Sequence, residues 1–339
     1  MYKFFIRPVF FLFDAESIHN FVLFLISKFN FLLPIFSAIY NPKIKNNVSI
    51  AGLKFNHKLG LAAGFDKNGV AIRFWDAIGF SHIEVGTVTP LPQPGNPKPR
   101  IFRLQGDYAL INRLGFNNKG AIEVRSNILK AKPLLKNGLI IGVNIGKNKD
   151  TPIDKASDDY VKCFSMLNDV ADYFTVNISS PNTKSLRDLQ NKSYLSQLLS
   201  EIQNKNRELN KILKPVFLKI APDLETEELS AIYEIVNLYK LSGVIATNTT
   251  VSRENLKIDP IQEGGLSGKP LKHHSDKILN ELNDLNLKYQ NKELNLIGVG
   301  GVFSKNDFND KCKLGAGLVQ IYTGFIYEGP SIIKKILIY

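Results

Sequence analysis

Residues 216–246, "VFLKIAPDLETEELSAIYEIVNLYKLSGVIA", decide the fold because they contain a complete strand–helix–strand unit. The short apolar run Val216–Leu218 ends in a polar loop, and the helix-like stretch 225–241 then leads into a second apolar run, Val244–Ala246. Short buried runs joined by a helix are typical of parallel strands. The unit therefore predicts an α/β protein with a parallel sheet.

The same alternation of apolar runs and helical patterns continues from residue 46 to the end of the chain. The apolar runs are Leu59–Ala63, His82–Gly86, Leu139–Val143, Tyr173–Val176, Val216–Leu218, Val244–Ala246, Leu296–Val299 and Leu318–Ile321. The helical patterns lie at 69–79, 118–136, 155–170, 189–213, 225–241, 272–290, 304–313 and 330–338. Eight strands alternating with eight helices predict a (β/α)₈ TIM barrel. Residues 48–56 predict a small hairpin before the first barrel strand, and residues 89–116 a long excursion after the second.

Length and composition indicate two parts of unequal size. The chain has 339 residues, 44% of them apolar, which is enough for one large hydrophobic core. We predict a helical extension over residues 1–45 and the barrel over residues 46–339. The sequence "NPKIK" at 41–45 is the expected linker.

The net charge of +12 favours anionic partners, such as phosphorylated small molecules or a membrane surface. Lys and Arg are spread along the chain without a long basic run, and we therefore predict no nucleic-acid partner. Cys163 and Cys312 have neither disulfide-framework nor metal-ligand spacing. The sequence offers no His, Cys and carboxylate cluster, so we predict no metal site.

The N-terminal extension is dense in Phe, Leu and Ile, yet it fits neither a signal peptide nor a spanning helix. Pro8, Asp14 and Glu16 interrupt it, and it lacks a cleavage site of small residues. Lys28 and Pro34 leave no clean apolar run of about 20 residues, the length needed to cross a bilayer.

A pair of short helices lying in a membrane interface explains the extension better. One arc of about 140° on the first helix is apolar, at 100° per residue. The residues on this arc are Ile18, Phe21, Val22, Leu25, Ile26 and Phe29. Basic residues outnumber acidic ones, which suits anionic headgroups. We expect a peripheral membrane protein, on the cytoplasmic face of the cell membrane if the chain is bacterial. The alternative is an ordinary helical hairpin packed on the barrel.

The loops that follow the predicted strands carry the signs of a ligand site, because TIM barrels place their chemistry there. Lys67 and Lys219 leave strands at the barrel mouth, where a buried ammonium group needs an anionic partner. The loops at 264–268, 298–301 and 322–324 are rich in glycine, which lets backbone N–H groups approach a phosphate. Neither a Walker motif nor a strand-anchored G-x-G-x-x-G is present, so ATP and NAD are not indicated.

Nine motifs resemble those of one enzyme family. They are "GLAAGFDKNG" at 60–69, "EVGTVTP" at 84–90, "PQPGNPKPRIFRL" at 92–104, "INRLGFNN" at 111–118, "NIGKNKDTP" at 144–152, "NISSPNT" at 177–183, "IATNTT" at 245–250, "GGLSGKPL" at 264–271 and "VQIYTGF" at 319–325. The chain resembles the quinone-dependent (class 2) dihydroorotate dehydrogenases, in register through almost its whole length. The resemblance implies oxidation of (S)-dihydroorotate to orotate in pyrimidine (UMP) biosynthesis, with FMN as cofactor and a membrane quinone as electron acceptor.

The resemblance also assigns roles to individual residues. The implied FMN contacts are Ala63, Gly64, Thr87, Asn144, Asn177, Lys219, Thr247, Gly268, Gly301, Tyr322 and Thr323. The implied substrate contacts are Lys67, Asn112, Arg113, Leu114, Gly115, Phe116, Asn177, Asn182, Asn248 and Thr249. The implied quinone contacts are His19, Arg103 and Tyr322. Ser180 matches the catalytic base, and the soluble relatives place a cysteine there.

The residue types suit these roles. Orotate is a planar anion with amide edges, and Lys67 with several asparagines offers a cation and amide partners. Pro181 stiffens the loop that carries Ser180. A serine hydroxyl is a weak base, so it needs a proton relay that the sequence does not identify. The alternative is that Ser179 and Ser180 only cap a turn. Residues 183–190, "TKSLRDLQ", are the expected part of a lid.

Two other functions compete with this interpretation. The first is an FMN barrel acting on RNA bases, such as a dihydrouridine synthase, which would carry a catalytic cysteine and an RNA-binding appendage. The second is a non-catalytic membrane scaffold, which leaves the paired lysines and the glycine loops unexplained. A yellow protein that bleaches on anaerobic addition of dihydroorotate separates all three.

Overall fold

A closed barrel of eight parallel strands forms the body of the molecule. The computed structural model describes residues 2–183, 186–254, 256–257, 261–291 and 294–338. The strands in chain order are β1 (Val48–Ile50), β2 (Leu53–Phe55), β3 (Leu59–Leu61), β4 (His82–Val88), β5 (Ile101–Leu104), β6 (Ala109–Asn112), β7 (Ile140–Ile145), β8 (Tyr173–Asn177), β9 (Val216–Ile220), β10 (Gly243–Ala246), β11 (Gly265–Gly268), β12 (Asn295–Val299) and β13 (Leu318–Ile321). The barrel runs β3-β4-β7-β8-β9-β10-β12-β13 and closes where β13 pairs with β3. All eight predicted barrel strands are confirmed.

Helices cover the outside of the barrel in the predicted alternation. They are α1 (Arg7–Phe11), α2 (Ala15–Lys28), α3 (Leu33–Tyr40), α4 (Ile72–Ile78), α5 (Gly120–Ala131), α6 (Ala156–Leu167), α7 (Lys192–Leu209), α8 (Thr226–Leu238), α9 (Lys272–Lys288), α10 (Lys305–Lys313), α11 (Thr323–Glu328) and α12 (Ile332–Leu337). Several begin at side-chain caps that the sequence encodes. Glu225 and Glu228 form a reciprocal capping box at the start of α8, and Ser304 caps α10.

The hydrophobic core lies in two layers, as expected for a barrel surrounded by helices. An inner cluster fills the barrel and includes Tyr173, Phe217 and Ile297. The antiparallel hairpin β1–β2, which was predicted, closes the bottom of this cluster with Phe55. A larger outer cluster lies between the strands and the surrounding helices. Layered packing of this kind makes the barrel a solid core and leaves its upper rim for ligands.

A small antiparallel sheet stands beside the mouth of the barrel. The excursion after β4 contributes β5 and β6, and the loop after β10 contributes β11, in the order β11-β6-β5. Leu266 pairs with Ile111 across this sheet. The sheet therefore holds the loop at 112–116 beside the glycine-rich loop at 264–268.

Helices α1 to α3 form the N-terminal extension, which has three helices where the sequence predicted two. The contacts of α3 are mainly with α4 of the barrel. The predicted linker is partly packed, since Asn41 is buried and donates to Ala77 O at 3.3 Å. No single described helix is long and apolar enough to cross a membrane. Among the described helices, one pair, Ala15–Lys28 and Asn30–Tyr40, has the length and composition together, but it is bent by 73° at its break. The division at residue 45 stays a prediction.

Candidate active site

A polar cavity opens at the carboxyl ends of the barrel strands, where the fold places its chemistry. It is lined by 19 residues that the sequence predicted for the base, the cofactor or the substrate. These are Ala63, Gly64, Lys67, Thr87, Asn112, Leu114, Gly115, Phe116, Asn177, Ser180, Asn182, Lys219, Thr247, Asn248, Thr249, Gly268, Gly301, Tyr322 and Thr323. Asn144 and Arg113 were predicted too, but they do not line this cavity.

Asn144 lies one layer below the cavity and supports its floor. It is fully buried and accepts hydrogen bonds from Thr87 Oγ1 at 2.6 Å and from Asn177 Nδ2 at 3.1 Å. Its own Nδ2 donates to Glu84 Oε2 at 3.1 Å. Asn144 therefore orients two residues that do reach the cavity.

The side chain of Arg113 points away from the cavity. Its guanidinium lies 4.9 Å from the centre of the Phe102 ring and donates to Pro99 O at 3.0 Å. Only its backbone contributes nearby, because Arg113 O accepts from Asn96 Nδ2 at 3.0 Å. Asn96 also donates to Asn182 O at 3.1 Å, so one amide ties two loops of the site together.

The two serines of the loop after β8 differ in position. Ser180 lines the cavity, and its Oγ accepts from Asn182 N at 3.3 Å. Ser179 is fully buried beneath the cavity, donates to Asn177 Oδ1 at 3.1 Å and accepts from Asn248 Nδ2 at 3.0 Å. The hydroxyl of Ser179 thus makes its hydrogen bonds within the protein, whereas Ser180 lies in the wall of the cavity that would hold a ligand.

Lys67 brings a positive charge to the other side of the cavity. Burial is the largest cause that lowers the pKa of Lys67 to about 7, and the charge of Arg100 lowers it further while Glu16 opposes both. The ammonium group donates to Asn117 Oδ1. An anionic ligand beside Lys67 would raise this pKa again, because a negative charge favours the ammonium form. The sequence analysis missed Asn117, which follows the motif residues that it selected.

Lys219 carries a second cation, buried at the end of β9. None of the described residues accepts a hydrogen bond from its ammonium group. Burial lowers the pKa of Lys219, and the charge of Glu84 opposes this effect. A buried donor without a partner at the edge of a cavity indicates a ligand acceptor in that cavity.

Glu84 and Gln320 form a polar pair inside the barrel that the sequence analysis missed. Gln320 Nε2 donates to Glu84 Oε1 at 2.7 Å. Gln320 lines the cavity, and its Oε1 is buried without a hydrogen-bond partner among the described residues. The signal was weak, because both residues occur singly within otherwise apolar strands. Gln320 Oε1 and Lys219 Nζ together present an acceptor and a donor to a ligand.

The glycine-rich loops shape a narrow cradle at the far end of the cavity. Gly268 and Gly301 have φ angles of 104° and 73°. A Cβ atom on Gly301 would lie 2.4 Å from Lys272 Cβ, so no other residue fits there without a shift of the chain. Helix α11 begins beside these loops at Thr323, and its N-cap Tyr322 makes no side-chain cap. Uncapped N–H groups suit an oxyanion such as a phosphate.

A separate apolar cavity of about 400 Å³ lies between the extension and the barrel. The three residues predicted for the quinone, His19, Arg103 and Tyr322, all line it. Tyr322 also lines the polar cavity, so its ring stands between the two spaces. Burial, followed by the charge of Lys67, lowers the pKa of His19 to about 4. His19 is therefore neutral near pH 7 and suits an uncharged, polar-tipped ligand.

Most of the apolar arc on α2 faces this cavity. Ile18, Val22, Leu25, Ile26 and Phe29 line it. Phe21 is 53% exposed on the outer side of the helix, together with Phe24, which was not assigned to the arc. Most of the arc therefore lines the internal cavity, and a second set of aromatic side chains is exposed on the outer side of the helix.

Comparison with known proteins identifies the family. A family model described as dihydroorotate dehydrogenase matches residues 45–338. The chain belongs to the dihydroorotate dehydrogenase family. A dihydroorotate dehydrogenase (quinone) of Christiangramia forsetii is 50% identical over 99% of this chain and 97% of its own. A second, from Nostoc punctiforme, is 41% identical over 99% of this chain and 92% of its own.

Solved dihydroorotate dehydrogenase structures have the same fold. A crystal structure of DHODH from Eimeria tenella in complex with ferulenol gives a TM-score of 0.86 at 38% identity, covering 95% of this chain and 89% of that one. The ligand-free form gives 0.82 at 37% identity, covering 92% of each chain.

In this member of the dihydroorotate dehydrogenase family, Arg187 fastens the expected lid to the site. Its guanidinium lies 2.9 Å from Asp223 Oδ2 and donates to Thr249 O at 3.2 Å and to Ser179 O at 3.4 Å. Within the expected lid, Leu186–Gln190 form a short 3₁₀ helix. Residues 184 and 185 of the expected lid lie outside the described residues. Sequence reasoning missed Arg187 and Asp223, because their pairing depends on how two loops meet.

Proposed function

We propose that the protein oxidises (S)-dihydroorotate to orotate in de novo pyrimidine (UMP) biosynthesis, with FMN as cofactor and a membrane quinone as electron acceptor. Membership of the dihydroorotate dehydrogenase family and the names of the similar proteins support this activity. The observation that carries it is the convergence of Ser180, Lys67 and several asparagine amides on one cavity of the barrel.

The cavity fits FMN in shape and in the chemistry of its walls. The cradle at Gly268, Gly301 and Thr323 offers backbone N–H groups to a phosphate monoester, and a dinucleotide fingerprint is missing from the sequence. Lys219 Nζ and Gln320 Oε1 offer a donor and an acceptor to the polar edge of a flavin ring. When bound, FMN supplies the acceptor for the hydride that leaves C6 of dihydroorotate.

The substrate side of the cavity fits a planar carboxylate with amide edges. Lys67 supplies the cation for the carboxylate. Asn112, Asn182 and Asn248 supply amides that each donate and accept hydrogen bonds. Asn182 Nδ2 donates to Asn112 Oδ1 at 3.2 Å, so the amides orient one another before a ligand arrives. Preorganised polar groups of this kind hold a substrate at little entropic cost.

Ser180 is the base that removes the C5 proton of dihydroorotate in this proposal. Its Oγ accepts only a backbone N–H, so the hydroxyl is free to donate its own proton onward while it accepts the substrate proton. Thr183 on the same loop has a buried hydroxyl without a protein partner among the described residues. We infer that Thr183 is the next group on the proton path.

Anaerobic mixing with dihydroorotate tests the activity directly. The purified protein should be yellow, and mass spectrometry of the released cofactor should give FMN. Stopped-flow absorbance should show bleaching of the flavin by dihydroorotate and none by dihydrouridine in RNA. Release of FAD, or bleaching by dihydrouridine alone, would contradict the proposal and favour another flavin barrel.

The apolar cavity beside the extension supports a quinone as the acceptor. Its walls are almost entirely aliphatic and aromatic, and Arg103 offers a hydrogen bond to a quinone carbonyl. Phe11 lies with its ring centre 4.6 Å from that guanidinium. We further infer that residues 1–45 hold the protein on the membrane as a peripheral protein, on the cytoplasmic face of the cell membrane in a bacterium. The outward aromatic side chains Phe21, Phe24 and Phe31 support this contact.

Two neighbouring positions on α2 provide a matched test of the quinone site. Val22 lines the apolar cavity, so Val22→Trp should fill it and raise the KM for decyl-quinone about tenfold or more. Phe21 is on the outer side of the helix, and Phe21→Trp should leave this KM within about twofold. Flavin reduction by dihydroorotate should be unchanged in both variants. Equal effects of the two substitutions would place the acceptor elsewhere.

A further inference from the structure

A second polar pocket lies where the end of α2 meets the barrel, next to the apolar cavity. Its walls come from Ile26, Ser27, Lys28 and Asn30 around the end of α2, from the turn into α4 and from α5. Its volume is about 400 Å³. Among the described residues, three cationic side chains line it, those of Lys28, Arg73 and Lys130, and no Asp or Glu does. The pocket is thus built for an anion.

The three cations have no partner among the described residues. None of them forms an ion pair or donates a hydrogen bond to a described group. Arg73 Nε is moreover buried and has no hydrogen-bond partner among the described residues, although buried polar atoms are normally hydrogen-bonded. Three like charges repel one another around a shared space, and an anion in that space would relieve the repulsion.

Three exposed apolar side chains, here called the rim, lie at the pocket or beside its residues in sequence. Leu134 lines the pocket just after α5 and is exposed. Phe29 and Phe31 flank the lining residue Asn30 in sequence and are exposed on the extension. A free phosphate ion would gain nothing from this rim. A phospholipid has both parts, because its phosphate matches the cations and its acyl chains match the apolar rim.

We propose that this pocket, here called the basic pocket (Lys28, Arg73 and Lys130), binds the phosphate of an anionic membrane lipid. The inference rests on the membrane contact proposed above and specifies one site at which the protein would bind a membrane lipid. Lys28 is the last residue of α2, so the lipid would hold α2 at its carboxyl end. Ile26 and Phe74 form walls of both spaces. A bound lipid would therefore set the position of the quinone cavity relative to the bilayer.

Vesicle binding by the full-length protein tests the proposal. Binding is measured by cosedimentation with vesicles of phosphatidylglycerol mixed into phosphatidylcholine, and with vesicles of phosphatidylcholine alone. The variant Arg73→Gln/Lys130→Gln removes two charges of the basic pocket. The control Lys162→Gln/Arg207→Gln removes two exposed charges from α6 and α7, so the net charge is the same. Each basic residue at an anionic surface contributes about fivefold to binding.

We expect the pocket variant to bind the mixed vesicles about 25-fold more weakly, at two charges of about fivefold each, while the control stays within about twofold of the parent. Binding to phosphatidylcholine alone should not change. The single variant Lys28→Gln, at an exposed helix end that cannot disturb folding, should lose about fivefold. Equal losses in the pocket variant and the control would overturn the proposal, because net charge alone would then explain binding.

Two further outcomes separate the proposal from its alternatives. If the parent binds both kinds of vesicle equally, the membrane contact stands and the lipid-phosphate site is wrong. If it binds neither kind, the proposed membrane contact itself has failed. Inorganic phosphate is the remaining occupant: a rise in Tm with inorganic phosphate that the pocket variant loses, without any vesicle difference, would replace the lipid by a soluble anion.

Discussion

Glu16 on α2 and Arg100 in the loop before β5 form a buried bidentate ion pair. Arg100 Nε donates to Glu16 Oε2 at 2.9 Å, and Nη2 donates to Oε1 at 2.7 Å. Burial opposes the charge on Glu16, but the hydrogen bonds and the charge of Arg100 prevail and lower its pKa. Arg100 also donates to Asn96 O at 2.6 Å, and Asn96 holds the loop of Asn182. One pair thus connects the extension to the substrate loops.

Removing the carboxylate of this pair should loosen the extension. Glu16→Gln leaves the buried Arg100 charge unpaired, at a cost of about 3–5 kcal/mol. We expect faster proteolysis within residues 1–45 and weaker turnover with decyl-quinone, while dihydroorotate still reduces the flavin. Lys98→Gln is the control, since its ammonium lies 3.6 Å from Glu16 and is mostly exposed. Proteolysis of Glu16→Gln at the parent rate would contradict the coupling.

Replacing Ser180 by Ala should slow flavin reduction by about 10²–10⁴-fold, the usual contribution of a positioned acid–base group. Folding, FMN content and orotate affinity should remain, because Ala removes one oxygen and the amide contacts stay. Ser180→Cys should restore part of the rate with a shifted pH profile. The measurement is anaerobic stopped-flow bleaching with C5-deuterated dihydroorotate.

Ser179→Ala is the comparison for Ser180, and the structure predicts a different defect. Ser179 holds Asn177 and Asn248 through two buried hydrogen bonds, so its loss should lower Tm and orotate affinity. The isotope-sensitive step should slow far less than in Ser180→Ala. If Ser179→Ala slowed this step more than Ser180→Ala, Ser179 would be the base and the assignment would be wrong.

Orotate affinity should fall as the pH rises through the pKa of Lys67. This pKa is lowered to about 7, so the ammonium form that binds a carboxylate is lost above that pH in the free protein. The Kd for orotate should then increase by up to about tenfold per pH unit, until the pKa of the complex is passed. Lys67→Arg keeps its charge throughout and should flatten the profile. Flavin absorbance titrations give both curves, and parallel curves would exclude Lys67 as the carboxylate partner.

Acid should destabilise the barrel through His82. Burial, followed by the charge of His57, lowers the pKa of His82 to about 3, so folding favours its neutral form. Its stabilising contribution is complete above about 6.5, the ordinary value, and is lost as the pH falls towards about 3. His82→Leu should reduce the slope of unfolding free energy against pH by up to about 1.36 kcal/mol per unit in this window.

The control for His82 is His273, which is exposed on α9. Urea denaturation at several pH values measures each slope, and His273→Leu should leave it unchanged. His82→Leu should break no hydrogen bond, because both ring nitrogens of His82 are buried without partners among the described residues. An unchanged slope in His82→Leu would place the acid-sensitive group elsewhere.

The barrel could be predicted because its signals are local. Each strand is a short apolar run, and each loop after it carries glycine or polar residues, so alternation alone gave the order and the face of the site. The residues around Ser180 and Lys67 followed from long contiguous motifs. Asn144 and Arg113 belong to such motifs as well, yet the structure places their side chains behind the cavity.

What the sequence did not give depends on contacts between distant segments. Arg187 and Asp223 form an ion pair because the loops after β8 and β9 come together in the fold, and the sequence of neither loop indicates its partner. Glu84 is a single charged residue in an apolar strand, and the sequence does not show that Gln320 on another strand donates a hydrogen bond to it. The surroundings of the apolar arc on α2 could not be predicted for the same reason. An apolar arc suits a membrane and an internal cavity equally well, and only the packing of α2 against the barrel decides between them.

The contacts of the first residues have a consequence for biosynthesis. Tyr2 Oη donates to Ile326 O at 2.6 Å, and Lys3 Nζ lies 2.6 Å from Glu328 Oε1. The residues of the first pair are 324 positions apart, so at about 5–20 residues per second their partners leave the ribosome about 15–60 s later. During this time the aromatic N-terminal helices have no barrel to cover them. Until then, the exposed aromatic side chains of these helices need another apolar surface, such as a bilayer or a chaperone.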